Sequence, residues 1–251
     1  MIIKTINKII QPTGYQIAIK QSPISCDLQN EKEFLELYNQ CKPYTQTTVE
    51  RLFALHQSCL YIINNNIPGD LVECGVWRGG SSMMIALTFL SRGITNRNIY
   101  MYDTYEGMSE PTVNDIAVTG EYAASILQRE NKLAEDSIWC YASYDEVLTN
   151  MAKTNYPKQH IKMIKGKVED TLPLTQPMQI ALLRLDTDWY ESTKIELEFL
   201  FPKLEKNAPL IIDDFGHWEG AKKAVVEYFQ QQNIQPLLQR IDFTGRLMLK
   251  L

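Results

Sequence analysis

The chain contains no apolar run near the roughly 18 residues that a membrane span needs. Its first residues, Met1-Ile2-Ile3-Lys4-Thr5-Ile6-Asn7-Lys8, are weakly amphipathic and lack the apolar core of a signal peptide. Basic residues are not in excess: 25 Lys and Arg stand against 30 Asp and Glu, a net charge of −5. A basic face for nucleic acid is therefore not expected, whereas a neutral or cationic small substrate is unaffected. Cysteine is sparse. The five present (Cys26, Cys41, Cys59, Cys74 and Cys140) form no C-x-x-C and no metal-ligand spacing, so they read as buried reduced thiols of a cytoplasmic protein. Internal repeats and low-complexity tracts are missing too. What is left, 251 residues with 45% hydrophobic and 22% charged content, suits one ordinary domain with a sizeable core.

Against that plain background, two clusters of acids stand out. Leu182-Leu183-Arg184-Leu185 runs into Asp186-Thr187-Asp188, and Pro209-Leu210-Ile211-Ile212 runs into Asp213-Asp214. A short apolar run ending in acids reads as a buried parallel strand with carboxylates at its carboxyl end. Ser192 to Leu200 reads as the helix between them, closed by Pro202. Parallel neighbours joined by one helix bring their carboxyl ends side by side, so Asp186, Asp213 and Asp214 should converge. Carboxylates crowded in this way repel unless a cation lies between them, and an all-oxygen set favours Mg²⁺ or Mn²⁺ over zinc. Any single Asp here could instead be a helix N-cap.

The rest of the chain supports an α/β reading. Glu31–Gln40 is expected to be helical and Tyr15–Ile19 a short strand. Thr47, Thr48 and Glu50 open a helix with Leu52, Leu55, Cys59, Ile62 and Ile63 on its apolar stripe, and Pro68-Gly69 stops it. Strands follow at Asp70–Cys74, Asn98–Tyr102, Ile161–Ile164, Ile180–Leu185 and Leu210–Ile212, with helices at Ser81–Leu90 and Glu219–Gln231. Pro236–Ile241 and Leu247–Leu251 are joined by a turn at Thr244-Gly245 and should be antiparallel. The sum is a mixed seven-stranded sheet with a terminal antiparallel hairpin. Residues 104–136 exceed a normal connection and read as a lid-like insertion, with a helix from Tyr122 to Glu135.

The first strand leads into Glu73-Cys74-Gly75-Val76-Trp77-Arg78-Gly79-Gly80-Ser81, an acid, then glycines, then a helix start. Glycines let backbone approach a ligand, and the helix N-terminus offers free N–H donors to an anionic group. This is not G-x-G-x-x-G: Trp77 disfavours a diphosphate lying flat on the turn and suits a cofactor with a single carboxylate. Asp103, at the end of the second strand, could take both hydroxyls of a ribose. With the terminal antiparallel pair, this points to S-adenosylmethionine (SAM).

The chain resembles the macrocin O-methyltransferase family, SAM- and metal-dependent enzymes that methylate sugar hydroxyls. The resemblance rests on Pro68 to Gly80, Asp103-Thr104-Tyr105-Glu106-Gly107-Met108, Gly166 with Glu169-Asp170-Thr171-Leu172-Pro173, Leu183 to Thr193, and Ile211 to Gly216, from about residue 44 to the C-terminus. It implies a class I SAM-dependent methyltransferase (Rossmann-like) fold over 47–251, preceded by an extension, 1–46, that serves as lid or dimer contact. It implies that Glu73, Gly75 and Ser81 line the methionine end of SAM, that Asp103 holds the ribose and that Gly166 to Val168 border the adenine. Val76 and Thr104 complete the cofactor-binding set. Asp186, Asp213 and Asp214 would bind Mg²⁺ (or Mn²⁺), with Asp186 as the catalytic base and Asp188 the second candidate. Tyr44 and His217 would meet the acceptor, a saccharide or glycosylated small molecule. A cytoplasmic homodimer is expected. Thr187 and Trp189 depart from the family's usual choices and bear on which acceptor fits. His56 and His160 read as structural, and Arg184 as paired with an acid.

Three other readings compete. A catechol-type O-methyltransferase would use a similar metal arrangement on a planar phenol. A metal-dependent glycosyltransferase would hold Mn²⁺ and a sugar nucleotide at Asp186-x-Asp188, but leaves Glu73-x-Gly75 and Asp213-Asp214 without a role. A non-catalytic module of the same fold would have no need of the intact acid set.

Overall fold

A computed structural model describes residues 24, 25, 27–134 and 137–251. The expected strand at Tyr15–Ile19 and Cys26 lie outside them. Seven strands, β1 (Asp70–Cys74), β2 (Ile99–Asp103), β3 (Ile161–Lys165), β4 (Ile180–Leu185), β5 (Pro209–Ile212), β6 (Gln239–Arg240) and β7 (Arg246–Leu249), form one sheet in the order β3-β2-β1-β4-β5-β7-β6. β1 to β5 are parallel, β7 runs antiparallel to β5, and β6 forms the edge on β7. All six residues of β4 are buried, as a central strand covered on both faces requires. The chain moves outward from β1 to β3 and returns to β4. The crevice at the carboxyl ends of β1 and β4 is thus the topological switch point, where such sheets take their ligands.

The helices are α1 (Lys32–Cys41), α2 (Val49–Asn64), α3 (Gly80–Ser91), α4 (Ala123–Arg129), α5 (Tyr144–Ala152), α6 (Val168–Thr171), α7 (Tyr190–Leu200) and α8 (Glu219–Gln231). Thr48 caps α2 by accepting from the Arg51 N–H, which aims the first turn of that helix at the end of the sheet. α3 is buried along nearly its whole length, so it is apolar all round rather than striped. After α7 the chain tightens into a 3₁₀ turn at Phe201–Lys203, where Pro202 ends the α-helix. α5 was not anticipated, yet Ser143-x-x-Glu146 is a capping box, and Ser143 Oγ accepts from the Glu146 N–H at 3.2 Å.

Two expectations need correction. The helix expected from Tyr122 to Glu135 stops at Arg129, because Glu130 turns extended and the Asn131 side chain takes the Leu133 N–H at 3.1 Å. The strand expected over Pro236–Ile241 shrinks to Gln239–Arg240, and its partner begins at Arg246. There Asp242 Oδ1 folds the chain back by accepting from Thr244 N and Gly245 N.

The main core lies between the sheet and its helices. A second, small cluster gathers Ala117, Ala123 and Leu127 of the insertion around Trp189, Trp218 and Ala221. It ties the insertion to the segments that follow β4 and β5.

Candidate active site

Strand register assembles the site. Cys74 is level with Leu185, and Leu185 with Ile212. The next residues along each strand are therefore neighbours: Asp186 N–H donates to Cys74 O at 2.8 Å, and Asp213 N–H to Leu185 O at 2.9 Å. Gly75 has φ 81°, and a Cβ there would overlap the Asp186 carbonyl, so this position tolerates only glycine. The result is a cavity of about 320 Å³ at the carboxyl ends of the strands.

Asp186, Asp213 and Asp214 each offer a carboxylate oxygen within 4.8 Å of the others. Two guanidiniums reach this group. Arg184, fully buried, donates from Nη2 to Asp186 Oδ2 and Asp213 Oδ1, both at 2.7 Å, and from Nη1 to Glu73 Oε1 at 2.6 Å. Arg51 bonds the other oxygen of Asp213 and reaches Asp242 from Nε at 3.0 Å. Asp214 and the Trp218 side chain lie beside the Asp188 carboxyl and temper the rise in its pKa. Burial raises the carboxyls of Asp186 and Asp214 well above the usual range, and neighbouring carboxylates add to it, Asp213 beside Asp186 and Asp188 beside Asp214. The Asp188 carboxyl is pushed up to about 7, again mainly by burial. Arg51 and Arg184 alone cannot neutralise Glu73, Asp186, Asp188, Asp213 and Asp214. The excess negative charge and the all-oxygen donors fit a hard divalent cation held by Asp186, Asp213 and Asp214.

Of the residues expected to hold the cofactor, Gly75, Val76, Ser81, Asp103, Thr104, Gly166 and Val168 all line the cavity. Glu73 does not: it is level with Arg184 on the adjacent strand, and its carboxylate is taken by that guanidinium and by Ser82 Oγ behind the wall. Its place is explained by pairing across the strands rather than by contact with a ligand. Asp103 lines the cavity while bracing it. Its Oδ2 accepts from Val76 N at 2.6 Å and Trp77 N at 3.1 Å, and its Oδ1 from Tyr105 N at 2.7 Å. Burial raises its carboxyl, and these donors pull it back.

Of the residues expected to meet an acceptor, Tyr44 and His217 both line the cavity, as do Trp189 and Trp218. Lys153 holds the Tyr44 hydroxyl at 2.9 Å. His217 is half-buried, with its pKa lowered by burial and by Arg51, and its ring stands edge-on to Trp218 at 4.8 Å. His56 and His160 are structural, bonded to Thr88 and Asn98 at 2.9 Å each. Sequence reasoning missed Arg51, whose partners Asp213 and Asp242 follow β5 and β6, and Glu196, whose Oε1 accepts from Thr187 Oγ1 at 2.9 Å beneath the Asp186–Asp188 turn. No local pattern announces either. Trp218, at the entry to a helix beside two acids, carried a signal that could have been read.

Sheet order, the antiparallel end and the ligand crevice put the chain in the class I SAM-dependent O-methyltransferase fold. Over residues 31–250 it matches the macrocin-O-methyltransferase (TylF) family, and it belongs to that family. It is 32% identical over 202 residues to the 8-demethyl-8-(2,3-dimethoxy-alpha-L-rhamnosyl)-tetracenomycin-C 4'-O-methyltransferase of Streptomyces olivaceus, covering 80% of this chain and 74% of that protein. The demethyldecarbamoylnovobiocin O-methyltransferase of Streptomyces niveus is 31% identical with the same coverage. The structure of the O-methyltransferase NovP superposes with a TM-score of 0.72 at 30% identity, covering 82% of each chain.

Proposed function

We propose that the protein transfers a methyl group from SAM to a sugar hydroxyl that has a free hydroxyl beside it, with Mg²⁺ (or Mn²⁺) at Asp186, Asp213 and Asp214. The observation that carries this is the convergence of those three carboxylates next to the Gly75 turn. The rhamnosyl acceptor in the name of the Streptomyces olivaceus relative supports a sugar. The cofactor supplies an electrophilic methyl, and the cation supplies Lewis acidity that makes a weakly acidic hydroxyl easier to deprotonate.

The side chains do the rest. Asp186 is the first candidate for the base, because its side chain is 27% exposed against 2% for Asp213, and the part-exposed Asp188 on the same cavity wall is the second. Arg184 holds Asp186 Oδ2, which leaves Oδ1 to take the hydroxyl proton. Asp103 braces the Val76-Trp77 turn against which the ribose lies, and Thr104, Gly166 and Val168 border the nucleoside. Tyr44, His217, Trp189 and Trp218 wall the acceptor end, exclude water and orient the sugar so that the reacting atoms meet in line. The free thiols Cys41, Cys59, Cys74 and Cys140 agree with a reducing, cytoplasmic setting. No helix among the described residues is long and apolar enough to cross a membrane. A homodimer belongs to the same reading, and light scattering checks it.

The test is methyl transfer from labelled SAM to a rhamnoside with free vicinal hydroxyls, with Mg²⁺ and with excess EDTA. Methylated sugar is expected with Mg²⁺ and none with chelator. Asp186→Asn should lower kcat about 10²-fold or more through loss of the base, with SAM affinity close to wild type. Full activity in EDTA ends the metal assignment. A catechol used far better than any vicinal-diol sugar, together with an active Asp186→Asn enzyme, ends the sugar and base assignments and favours the catechol-type alternative.

A further inference from the structure

The two helices that follow the acid-bearing strands begin without caps of their own. Trp189 is the N-cap residue of α7 and Trp218 that of α8, and neither side chain caps its helix. An indole has no acceptor oxygen, so the first N–H groups of α7 and α8 need partners from elsewhere. The insertion supplies them. Asp115 is fully buried, and its Oδ1 accepts from the Tyr190 N–H at 2.8 Å. The same oxygen lies against the start of α8, where a Cβ at Gly220 would collide with it. The next residue, Ile116, accepts from the Glu219 N–H at 2.9 Å through its carbonyl. Thr112 anchors the other oxygen of Asp115, from its N–H at 2.6 Å and its hydroxyl at 2.9 Å. A buried carboxylate thus stands where two helix N-termini converge, a favourable place for a negative charge.

The positions held in this way are close to the chemistry. Tyr190 is two residues after Asp188, which has a left-handed φ of 66° that a non-glycine residue keeps only when its surroundings impose it. Glu219 follows Trp218, which lines the cavity together with Asp188. The Trp189 indole N–H donates to Ser109 O of the insertion at 3.0 Å, and the Trp189 and Trp218 rings meet edge-to-face at 5.0 Å. Val118 N–H reaches His217 O at 2.8 Å.

We propose that Asp115 is a positioning residue for methyl transfer. From the insertion, it fixes the starts of α7 and α8 and thereby the orientation of Asp188, Trp189 and Trp218 around the acceptor. The assignment rests on the reading of this cavity as the methyl-transfer site. In it, the 112–123 part of the insertion is a brace of the acid cluster as well as a cover.

The test uses the full chain with Asp115→Ala and, as a second variant that keeps the carboxylate but displaces it, Gly220→Ala. Hydrogen exchange by peptide, S-adenosylhomocysteine affinity by calorimetry, and kcat are measured for each. Exchange at residues 188–192 and 218–221 should be at least about tenfold faster than in wild type, because a brace missing at the helix starts opens them locally. S-adenosylhomocysteine affinity should stay within about twofold, since the cofactor wall lies at the ends of β1, β2 and β3, and kcat should fall about tenfold or more, as for other supporting partners. A folded Asp115→Ala or Gly220→Ala chain with wild-type exchange at 188–192, or with wild-type kcat, overturns the assignment. If wild-type protein methylates no vicinal-diol sugar, the functional reading fails. The exchange comparison then still decides the brace, and unchanged exchange at 188–192 overturns it.

Discussion

Replacing Arg184 by Met removes the hub of the buried ion network with little change in volume. Three carboxylates lose a partner: Glu73 at 2.6 Å, and Asp186 and Asp213 at 2.7 Å. Asp213 keeps Arg51 and Asp186 is partly exposed, but Glu73 has no solvent and retains only Ser82. Breaking one such buried pair costs about 3–5 kcal/mol, because an uncompensated charge is left in a low-dielectric site. For a domain of this size each kcal/mol moves Tm by about 2–4 °C, so a midpoint loss of about 4 kcal/mol lowers Tm by about 8–16 °C. The loss should depend on pH with a definite sign. Burial already raises the Glu73 pKa above its ordinary 4.5, and Arg184 is the main group holding it down. Without Arg184 the folded-state pKa climbs further, so the folded chain binds the extra proton. The destabilisation is then smallest near and below pH 4.5 and grows as pH rises toward the new folded-state value. Calorimetry and urea melts at pH 5 and pH 8 read this directly. Adding Glu73→Gln should recover about 1–3 kcal/mol, the coupling expected of contacting partners. An Arg184→Met chain within about 1 kcal/mol of wild type at pH 8 would refute the view that the guanidinium neutralises Glu73.

Three further outcomes follow from the same geometry. Gly75→Ala places a Cβ on the Asp186 carbonyl at a left-handed φ, and should cost at least about 2 kcal/mol in a thermal melt; a wild-type Tm would mean that the two strand ends are not clamped. Asp103→Ala removes the acceptor of the Val76, Trp77 and Tyr105 N–H groups, bonds to charge worth about 1.5–3 kcal/mol each, so SAM affinity by calorimetry should fall at least about tenfold. An unchanged dissociation constant would show that the turn holds its shape, and the ribose its place, by other means. The Arg92 hydrogen bond lowers the Glu33 pKa to about 2, so its contribution to stability is present above about 4.5 and is lost as pH falls through about 2. Both side chains are part-exposed and screened by salt, so Glu33→Gln should cost at most about 1 kcal/mol at pH 7, and NMR titration of Glu33 checks the shift.

The sequence by itself determined the elements whose signals are local. Apolar runs placed β1 and β4 at their observed bounds, and the apolar stripe did the same for α8. Acids just past apolar runs announced a carboxylate cluster, because parallel strands joined by a helix must end on the same edge. Family motifs, spread along the chain in order, identified the class of enzyme. Tertiary structure alone decided the partners. Arg184 and Glu73 are 111 positions apart, and Arg51 and Asp213 are 162, so no spacing rule links them. Strand register set Glu73 opposite Arg184 and so withdrew it from the cavity wall, although its position in the motif suggested a ligand contact. Nothing in its sequence neighbourhood distinguishes Asp115; the fold brings it to two helix starts that have only tryptophans at their caps. Local structure follows from hydrogen-bond and packing periodicities within a few residues. Which charge neutralises which, and which carboxylate stays free for a substrate, depends on distances that exist only after the sheet has closed.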